Sequence, residues 1–383
     1  MEKLKIFAHT IEEEALQQIH KLNECEAYKD STIRIMPDAH AGKGCTIGSV
    51  IQFKDKVVPC TIGVDISCGM LVTELGKVDI DLAELDRVVN EKIPSGFNIH
   101  DKAVACFNLD FVADIKDKDY LLRSIGTLGG GNHFIELDAD DEGNKYLVIH
   151  SGSRNLGVQV CNYYQNIAIR KLSDNGAERK EIIEKLKKEG RQREIKEALR
   201  NIPRIVTEND LAYIEGDDLS DYLHDMLSCA SYAKLNRETM ATIICNSLGL
   251  EPKEQFTTLH NYIEIWSNTI RKGAISAQIG EKVIIPMNMR DGSLICIGKG
   301  NEDWLCSAPH GAGRLMSRKK AKETLSMDDF KQSMDGVYST SVCYDTLDEA
   351  PMAYKTKEEI MDCIKPTVDV LRVIKPLYNF KAK

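Results

Sequence analysis

The sequence predicts a mixed α+β fold: one large body of mixed β-sheets, with a functional site at strand ends and a helical insertion. Short apolar runs that end at Gly, Asp or Ser fill residues 1–155 and return in residues 251–383, which is typical of strands joined by tight turns. Residues 156–250 instead place apolar side chains at helical spacing among many Lys, Arg and Glu. The alternation of strand-like and helix-like sequence patterns favours strands and helices in one mixed fold.

The first zone contains three clear strand candidates. They are Thr46–Phe53, Lys56–Val64 and Lys145–His150, each rich in Val, Ile, Leu or Thr. Each run leads into a turn residue, so the loops between strands are expected to be short. Short loops at strand ends are where binding and catalytic side chains usually lie.

The middle zone predicts two long helical stretches, Ala177–Arg200 and Asp221–Leu248. The residues on both sides of this zone carry the candidate chemistry described below. A cut into two separate domains would therefore divide the site. We expect a single domain over residues 1–383, with 156–250 as a mainly helical insertion.

The last zone returns to strands at Lys282–Pro286 and Leu294–Gly298, and helices are expected nearer the C-terminus.

Composition restricts the class of protein. Lys and Arg total 50 against 59 Asp and Glu, a net charge of −9, which argues against a general polyanion binder. Basic residues nevertheless cluster at Arg179–Arg204 and Arg314–Lys322. No apolar run approaches the roughly 18 residues of a membrane span, so no membrane association is expected.

The 12 cysteines include no C-x-x-C pair, and the N-terminal residues do not resemble a signal peptide. Free thiols in a reducing cytoplasm are therefore expected rather than a disulfide framework.

Five of the nine histidines lie at the ends of apolar runs, beside Gly or polar turns: His40, His133, His150, His260 and His310. In the segment GVDISCGM, Asp65 and Cys68 lie three residues apart in a turn bounded by Gly, so both can reach one site. Imidazole, thiolate and carboxylate are the usual metal ligands. Asp65, Cys68, His133, His150 and His260 are thus candidate ligands, although each alone could also be structural.

Glycine-rich turns at 42–44, 129–131 and 298–300 would let backbone N–H groups approach phosphate, or simply form tight loops. His310 lies in the turn PHGAGR, where the neighbouring glycine leaves the imidazole open as a nucleophile. It could equally be a fifth metal ligand or a turn residue. Arg314 and Arg318 are expected to share one face of a following helix and to meet phosphates.

Several strings together resemble the RtcB family of RNA-splicing ligases, from about residue 34 to the C-terminus. They are GVDISCGM, GTLGGGNHFIEL, VIHSGSRNLG, HNYIE, RKGA and GKGNEDWLCSAPHGAGRLMSR, in the order of the family. The resemblance implies an enzyme that joins RNA carrying a 2′,3′-cyclic phosphate or 3′-phosphate to RNA carrying a 5′-hydroxyl. Family members use GTP and two Mn²⁺ ions, and an activating protein partner is possible.

The resemblance also implies roles for the candidate residues. Cys68 would bridge both ions, Asp65 and His133 would complete the shell of one ion, and His150 and His260 that of the other. His310 would attack the α-phosphate of GTP and hold GMP covalently before GMP passes to the RNA 3′-phosphate. Further nucleotide contacts implied are Asn132, Glu136, Ser293, Gly311, Ala312, Gly313, Arg314, Tyr354 and Lys381. Lys375 competes with Lys381 as the residue that reads guanine, and the RNA phosphates would meet Arg154, Arg314 and Arg318.

Two segments depart from the family pattern, at Ile270 and Ile275 around RKGA and at Met287–Arg290. Base contacts and substrate preference are open at these positions, and the role is either tRNA splicing or RNA repair. Two other classes of protein remain as alternatives: a metal-dependent phosphoester hydrolase without covalent GMP, and a non-catalytic RNA-binding relative.

Overall fold

The computed structural model describes residues 2–173, 176–199 and 209–382. The helices are α1 Glu13–Glu24, α2 Leu82–Lys92, α3 Lys118–Arg123, α4 Arg154–Ser173, α5 Gly176–Lys188, α6 Ile195–Ala198, α7 Gly216–Leu248, α8 Arg318–Thr324, α9 Met327–Ser333 and α10 Lys357–Ile364. The strands are β1 Leu4–Ile6, β2 Thr32–His40, β3 Ile47–Gln52, β4 Lys56–Val57, β5 Gly69–Gly76, β6 Phe134–Ala139, β7 Lys145–Ser151, β8 Ile214–Glu215, β9 Glu254–Leu259, β10 Asn261–Glu264, β11 Thr269–Lys272, β12 Ala274–Ser276, β13 Lys282–Asn288, β14 Gly292–Gly298, β15 Ser307–Pro309 and β16 Val368–Lys381. The mixed α+β class predicted from the sequence is confirmed.

Two larger sheets organise these strands. A five-stranded sheet has the order β1-β2-β3-β11-β10, and a seven-stranded sheet has the order β13-β14-β16-β6-β7-β5-β9. Every neighbouring pair in the seven-stranded sheet is antiparallel. Its two edge strands, β13 and β9, also lie close to each other. The Ile284 N–H donates to Thr258 Oγ1 at 3.1 Å, and Lys282 Nζ lies 3.0 Å from Glu254 Oε1. The sheet therefore curls until its edges meet.

Helix α7 packs against the seven-stranded sheet and reaches both large hydrophobic cores. Its first half, with Tyr222 and Tyr232, is buried with the five-stranded sheet and α4, and its second half, with Met240 and Ile244, is buried with α2 and the seven-stranded sheet. Gly249 ends the helix in a left-handed conformation at φ +63°, which costs glycine little. The residues between these two halves, near the middle of α7, lie beneath the site described below.

Most of the predicted strands are present, with one clear difference. Thr46–Phe53, Lys145–His150, Lys282–Pro286 and Leu294–Gly298 correspond to β3, β7, β13 and β14. The strand predicted over Lys56–Val64 is wrong beyond Val57, because Pro59 begins a single 3₁₀ turn that ends at Thr61. Proline has no N–H for a strand ladder, and its fixed φ suits the first position of such a turn.

The middle zone is helical in the described residues, apart from the short β8. The predicted helix Asp221–Leu248 begins earlier, at Gly216. The predicted Ala177–Arg200 is α5 followed by a break at Gly190 and the short α6, and its last residue and the end of the basic cluster Arg179–Arg204 lie outside the described residues. The single domain with an insertion at 156–250 stays a prediction.

The C-terminal zone contains the expected helices α8, α9 and α10, but it ends in the 14-residue strand β16, which the sequence analysis did not predict. Among the described residues, no helix has the length and apolar character needed to cross a membrane.

Candidate active site

Four neighbouring strands bring the candidate metal ligands to one end of the seven-stranded sheet. Cys68 directly precedes β5, His133 directly precedes β6, His150 lies near the end of β7, and His260 directly follows β9. Because neighbouring strands run antiparallel, the starts of β5 and β6 lie beside the ends of β7 and β9, at the same end of the sheet. Asp65 lies in the turn that leads into β5. We call these five residues the ligand cluster.

The ligand atoms of Cys68, His133 and His150 all lie within 4.8 Å of one another, and Asp65 and His260 each lie next to one of these imidazoles. Cys68 Sγ lies 3.3 Å from His133 Nε2 and 3.3 Å from His150 Nε2. Asp65 Oδ2 lies 3.0 Å from His133 Nε2, and His150 Nε2 lies 3.3 Å from His260 Nε2. Two ligands that share one ion at bond lengths of about 2.1 Å lie roughly 3–3.5 Å apart. The structure thus brings together all five residues that the sequence singled out.

The hydrogen bonds of two imidazoles define which nitrogen faces the cluster. His133 Nδ1 donates to the carbonyl oxygen of Leu128 at 2.8 Å, and His150 Nδ1 donates to that of Asn132 at 3.2 Å. A carbonyl can only accept, so each neutral ring carries its proton on Nδ1 and turns an Nε2 lone pair toward Cys68. A cation bound among these buried nitrogen lone pairs and the Asp65 carboxylate would be stabilised by all of them.

Burial and neighbouring groups shift the pKa values of several residues in the cluster. Burial raises the pKa of Asp65, but its contact with His133 outweighs this and lowers the pKa to about 2. Burial, with the neighbouring imidazoles, lowers the pKa of His150 well below its usual value, and burial and His310 do the same for His260. At neutral pH the cluster therefore contains the Asp65 carboxylate and, at His150 and His260, neutral imidazoles. Burial and Asp65 raise the pKa of the Cys68 thiol, whereas Arg237 opposes them.

Two buried residues in the middle of α7 hold the backbone around the cluster. Arg237 Nη1 donates to the carbonyls of Ser67 at 3.0 Å and Ser151 at 2.8 Å, next to Cys68 and His150. Asn236 Nδ2 donates to Ser151 Oγ at 3.1 Å, and its Oδ1 accepts from the backbone of the loop that leads to β6. Sequence analysis missed both residues, because nothing in a helical stretch marks the face that meets a distant turn.

His310 forms a pair with Asp38, a residue at the end of β2 that the sequence analysis also missed. His310 Nδ1 donates to Asp38 Oδ2 at 2.7 Å, and the His310 N–H reaches the same oxygen at 3.1 Å. Asp38 is fully buried. Because the carboxylate accepts a hydrogen bond from Nδ1–H, the neutral ring has its lone pair on Nε2, as a nucleophile or base requires. The His310 ring centre lies 4.9 Å from that of His260, beside the ligand cluster.

The sequence contained a signal for Asp38, since MPDAH places it two residues before the candidate His40. His40 Nδ1 bonds to the Asp38 carbonyl at 2.8 Å, and burial lowers the His40 pKa to about 4. Gly313 allows the turn after His310 to approach this strand: it has φ +75°, and a Cβ there would lie 2.5 Å from the Asp38 carbonyl oxygen.

A cavity of about 700 Å³, the first cavity, opens beside His310, His260 and His150. Most of the predicted nucleotide contacts line it: Asn132, Glu136, Gly311, Ala312, Gly313, Arg314, Tyr354 and Lys381. Ser293 does not line this cavity; it is fully buried in β14, and its hydroxyl has no partner among the described residues. Lys381 is buried in the cavity wall, whereas Lys375 is exposed and lines a separate depression.

Glu349 is the polar centre of one wall of the first cavity. Its carboxylate lies 2.8 Å from Lys381 Nζ, 3.2 Å from Arg314 Nη1 and 3.1 Å from Arg318 Nη2, and it accepts from the Tyr354 hydroxyl at 2.7 Å. Burial raises the Glu349 pKa, but the three cations lower it to about 2. Four residues predicted from the sequence thus converge on a carboxylate that the sequence did not mark.

The expectation that Arg314 and Arg318 share a helix face is wrong. Arg314 forms an isolated bridge with Tyr354, and α8 begins only at Arg318. Gly313, at φ +75°, and the bridge at Arg314 interrupt any helix before Ser317 caps α8. The two guanidinium groups meet through Glu349 instead.

A second cavity, of about 1080 Å³, lies at the other end of the ligand cluster and is lined by Asp65 and His133. Arg154 lines it, and its Nη2 donates to the Gly96 carbonyl at 2.7 Å. Arg318 and Glu349 line both cavities.

The two segments that depart from the family pattern have different environments. Ile270 and Ile275 are fully buried in hydrophobic cores. Met287, Asn288 and Met289 line the first cavity, while Arg290 turns away from it and pairs with Asp291 at 2.8 Å.

A thiol, three imidazoles and a carboxylate beside a buried Asp–His pair are typical of an enzyme that uses bound metal ions. Comparison with known proteins identifies the family: the model of the family described as tRNA-splicing ligase RtcB matches residues 18–114 and 110–382. The chain belongs to this family.

Individual relatives agree. The chain is 32% identical to the RNA-splicing ligase RtcB of Escherichia coli K12, over 91% of this chain and 90% of the relative. It is also 25% identical to the tRNA-splicing ligase RtcB of Archaeoglobus fulgidus, over 92% of this chain and 88% of the relative. The resemblance inferred from the sequence is confirmed, and the chain is an RNA ligase by family.

Proposed function

We propose that this protein is a GTP- and Mn²⁺-dependent RNA ligase that joins a 2′,3′-cyclic phosphate or 3′-phosphate end to a 5′-hydroxyl end. The observation that carries the proposal is the His310–Asp38 pair, which presents a free imidazole nitrogen to a cavity beside a cluster of metal ligands. Membership of the RtcB family supplies the class of reaction.

Two Mn²⁺ ions are proposed for the ligand cluster. Asp65, His133 and Cys68 would hold one ion, and Cys68, His150 and His260 the other. The inward lone pairs of His133 and His150 support this assignment, because a neutral imidazole nitrogen with a lone pair is a metal ligand. Bound metal ions neutralise charge on phosphates during transfer. By ligand type Zn²⁺ binds such a set more tightly than Mn²⁺, so the choice of Mn²⁺ follows the family resemblance.

His310 performs the first covalent step. Its Nε2 attacks the α-phosphorus of GTP, a P–N bond forms, and the bond to the leaving pyrophosphate breaks. Asp38 orients the ring and stabilises the positive charge that the imidazole gains. Arg314 and the glycine turn 311–313 line the cavity where phosphates would lie.

The following steps pass GMP to RNA. Water opens any 2′,3′-cyclic phosphate, and an oxygen of the resulting 3′-phosphate attacks the GMP phosphorus, which breaks the P–N bond and restores His310. The 5′-oxygen of the second RNA then attacks the 3′-phosphorus and expels GMP, and the hydroxyl proton passes to solvent. Bond making balances bond breaking at each step.

Guanine selection is proposed for the wall around Glu349. Lys381, Glu136, Asn132 and Tyr354 line the first cavity, and Lys381 is favoured over Lys375 because only Lys381 faces it. The Met287–Met289 segment lines the same cavity, so it is the place where base contacts would differ from those of relatives. Ser293 would need a change in its surroundings to contact the nucleotide.

RNA with tRNA-splicing or repair breaks is the proposed substrate, and the cytoplasm the proposed location, in keeping with 12 free cysteines. Arg154, Arg314 and Arg318 are proposed to meet RNA phosphates. Because carboxylates already pair with Arg314 and Arg318, Arg154 is the one of the three without an ion pair among the described residues. An activating protein partner is also possible under this proposal.

The decisive experiment is transfer of label from GTP. Metal-stripped protein reloaded with Mn²⁺ and given GTP labelled at the α-phosphate should form an acid-labile, alkali-stable adduct. His310→Ala should abolish the adduct, and substitution of the exposed His20 by Ala should leave it unchanged. Label retained in His310→Ala would overturn the proposal. Phosphoester turnover without GTP would instead support a hydrolase, and RNA binding without joining under any metal would support a non-catalytic relative.

A further inference from the structure

We infer that the second cavity binds the RNA strand that carries the 5′-hydroxyl, and that Phe97 stacks on a base at the start of this strand. The inference rests on the proposed ligase function and adds to it a subsite and a residue. It starts from an apolar side chain in an unusual place. Phe97 is 94% exposed, yet it lines a cavity that reaches the ligand cluster.

The direction of the last chemical step assigns the strand to this cavity. When the 5′-oxygen attacks the 3′-phosphorus and GMP leaves, the attacking and leaving oxygens lie roughly in line. GMP leaves toward the first cavity, where His310 lies. The 5′-hydroxyl therefore approaches from the opposite end of the ligand cluster, where Asp65 and His133 line the second cavity.

The second cavity offers basic side chains that could contact a phosphate backbone. Arg154, Arg318, Lys319 and Lys322 line it. Four acidic residues also line it: Asp65, Asp345, Asp348 and Glu349. Two of them are partly neutralised, since Asp348 pairs with Arg318 at 3.0 Å and with Lys322 at 3.5 Å, and Glu349 pairs with Arg318 at 3.1 Å. Among the residues that the structure describes, Arg154 is the cation of this wall without an ion pair, because its bonds to Gly96 and Thr127 go to neutral oxygens.

Hydrogen bonds fix the backbone turn that carries Phe97. The Gly96 N–H donates to the Gly129 carbonyl at 2.8 Å, and the Gly96 carbonyl accepts from Arg154. Tyr120 donates its hydroxyl to the Phe97 carbonyl at 3.4 Å, and Gly96 has φ +63°. An exposed apolar ring on a turn fixed from three sides is organised for a flat partner rather than for the core of this chain.

A nucleic acid base is the flat partner that fits. Cationic grooves that carry aromatic platforms bind single strands by stacking successive bases, whatever the sequence. The Phe97 turn adjoins the Gly129–Gly131 turn, since a Cβ on Gly130 would lie 3.8 Å from Gly96 Cα, and a Cβ on Gly131 would lie 3.8 Å from Arg318 Nη2. Ring, glycine turn and arginine thus follow one another along the cavity.

The test separates joining from the steps that precede it. With the Mn²⁺-loaded enzyme, Phe97→Ala should form the His310–GMP adduct and transfer GMP to a 3′-phosphate at the wild-type rate. It should raise the KM for the 5′-hydroxyl strand in joining about tenfold. Phe97→Trp should restore the wild-type KM. Trp266→Ala is the matched control, because Trp266 is 96% exposed on the hairpin between β10 and β11.

A binding measurement does not depend on catalysis. An oligonucleotide with 2-aminopurine at its 5′-hydroxyl terminus should lose fluorescence on binding wild type and Trp266→Ala, but not Phe97→Ala. The inference is overturned if wild type causes no such quenching, if Phe97→Ala leaves the joining KM unchanged, or if 2-aminopurine next to the 3′-phosphate is the one that Phe97 quenches. Failure of the ligase proposal appears separately, as the absence of the His310–GMP adduct in wild type.

Discussion

Cys68 occupies the central place among the candidate metal ligands. Its sulfur is equally distant, at 3.3 Å, from a nitrogen of His133 and a nitrogen of His150. Each of these two imidazoles has a further neighbour in the ligand cluster. Asp65 lies next to His133, and His260 lies next to His150. A single thiolate at this position could therefore serve the shells of both proposed ions.

Loss of this sulfur should affect both ions at once. We expect Cys68→Ala to lose both Mn²⁺ ions, whereas His150→Ala should lose mainly one, because a terminal ligand serves a single ion. Metal content per chain after reconstitution and gel filtration measures this. Cys106→Ala, at the exposed cysteine, is the control that should keep both ions. Equal metal content in wild type and Cys68→Ala would refute the bridging role.

Asp38 offers a second prediction at this scale. Asp38→Asn keeps the shape of the side chain but removes the charge that orients the His310 ring, so the rate of adduct formation should fall by about 10²–10⁴-fold, as for the Asp of a catalytic triad. Single-turnover labelling with GTP measures the rate. The exposed Asp101→Asn is the control and should label normally. A rate within twofold of wild type for Asp38→Asn would exclude an orienting role.

Sequence reasoning found most residues with a recognisable local setting, overlooked Asp38 although it lies two residues before His40, and missed residues that have no such setting. The metal ligands and His310 lie at strand ends beside Gly, a pattern visible in one dimension. Asp38 bonds to His310 and Arg237 bonds to the Ser67 carbonyl, and both pairs are more than 160 positions apart in the sequence. Glu349 has its partners in the turn after His310, in α8 and in β16. Proximity of this kind follows only from the folded sheet.

At the scale of elements, Glu349 joins three parts of the C-terminal zone. Its carboxylate holds Arg314 of the extended turn, Arg318 of α8 and Lys381 of β16. The side chains of Arg314 and Lys381 are largely buried, whereas that of Arg318 is 45% exposed. The turn, the helix and the strand therefore depend on one negative charge for their relative positions.

Removal of this charge should destabilise the fold in a pH-dependent way. Glu349→Gln leaves buried cations without their partner, so the free energy of unfolding should fall by about 3 kcal/mol at neutral pH. The folded pKa of Glu349, about 2, lies below the ordinary 4.5. Its stabilisation is therefore complete above about pH 4.5 and is lost as the pH falls toward 2. Urea unfolding of both proteins between pH 7 and about 3 should show the difference between them narrowing.

The control for this measurement lies on the same helix. Glu323 of α8 is exposed and lies 3.9 Å from Lys319, so Glu323→Gln should change stability by less than about 0.5 kcal/mol. A difference between wild type and Glu349→Gln that stays constant with pH would show that the charge of Glu349 is not what stabilises the three elements.

Element prediction failed where proline intervened. Pro59 turned a predicted strand into a single 3₁₀ turn. Pro376 lies inside β16, where the ladder with β6 shifts register between Pro376 and Tyr378. A proline in such a run argues against a strand on local grounds, and β16 forms because neighbouring strands cover it on both sides.

At the scale of the whole molecule, the curled seven-stranded sheet sets the geometry of the site. Its edges meet where the Ile284 N–H donates to Thr258 Oγ1, two residues before His260. The contact joins the β13 edge, beside the first cavity, to the strand that supplies a metal ligand. Sequence analysis predicted β13 and β14 but not this closure, because a side chain to backbone bond between two edges has no sequence pattern.

Thr258→Val removes the acceptor while keeping the shape, and leaves the buried Ile284 N–H unsatisfied. The free energy of unfolding should fall by about 1–3 kcal/mol. Denaturant unfolding measures it, and the exposed neighbour Thr257→Val should stay within about 0.5 kcal/mol of wild type. Equal stability of the Thr257→Val and Thr258→Val proteins would mean that the edges are held together by other contacts.

The position of β16 within that sheet has a consequence for biosynthesis. The strand Val368–Lys381 lies between β14 and β6, in the interior of the sheet and not at its edge. A nascent chain that has not yet been translated through codon 381 lacks the complete strand. Without β16, β14 has no hydrogen-bonded neighbour that links it to β6, and the cavity wall that contains Lys381 is missing. The first cavity, where we propose that GTP binds, is therefore completed only after translation has passed this strand, and a chain stalled before it would lack this wall of the cavity.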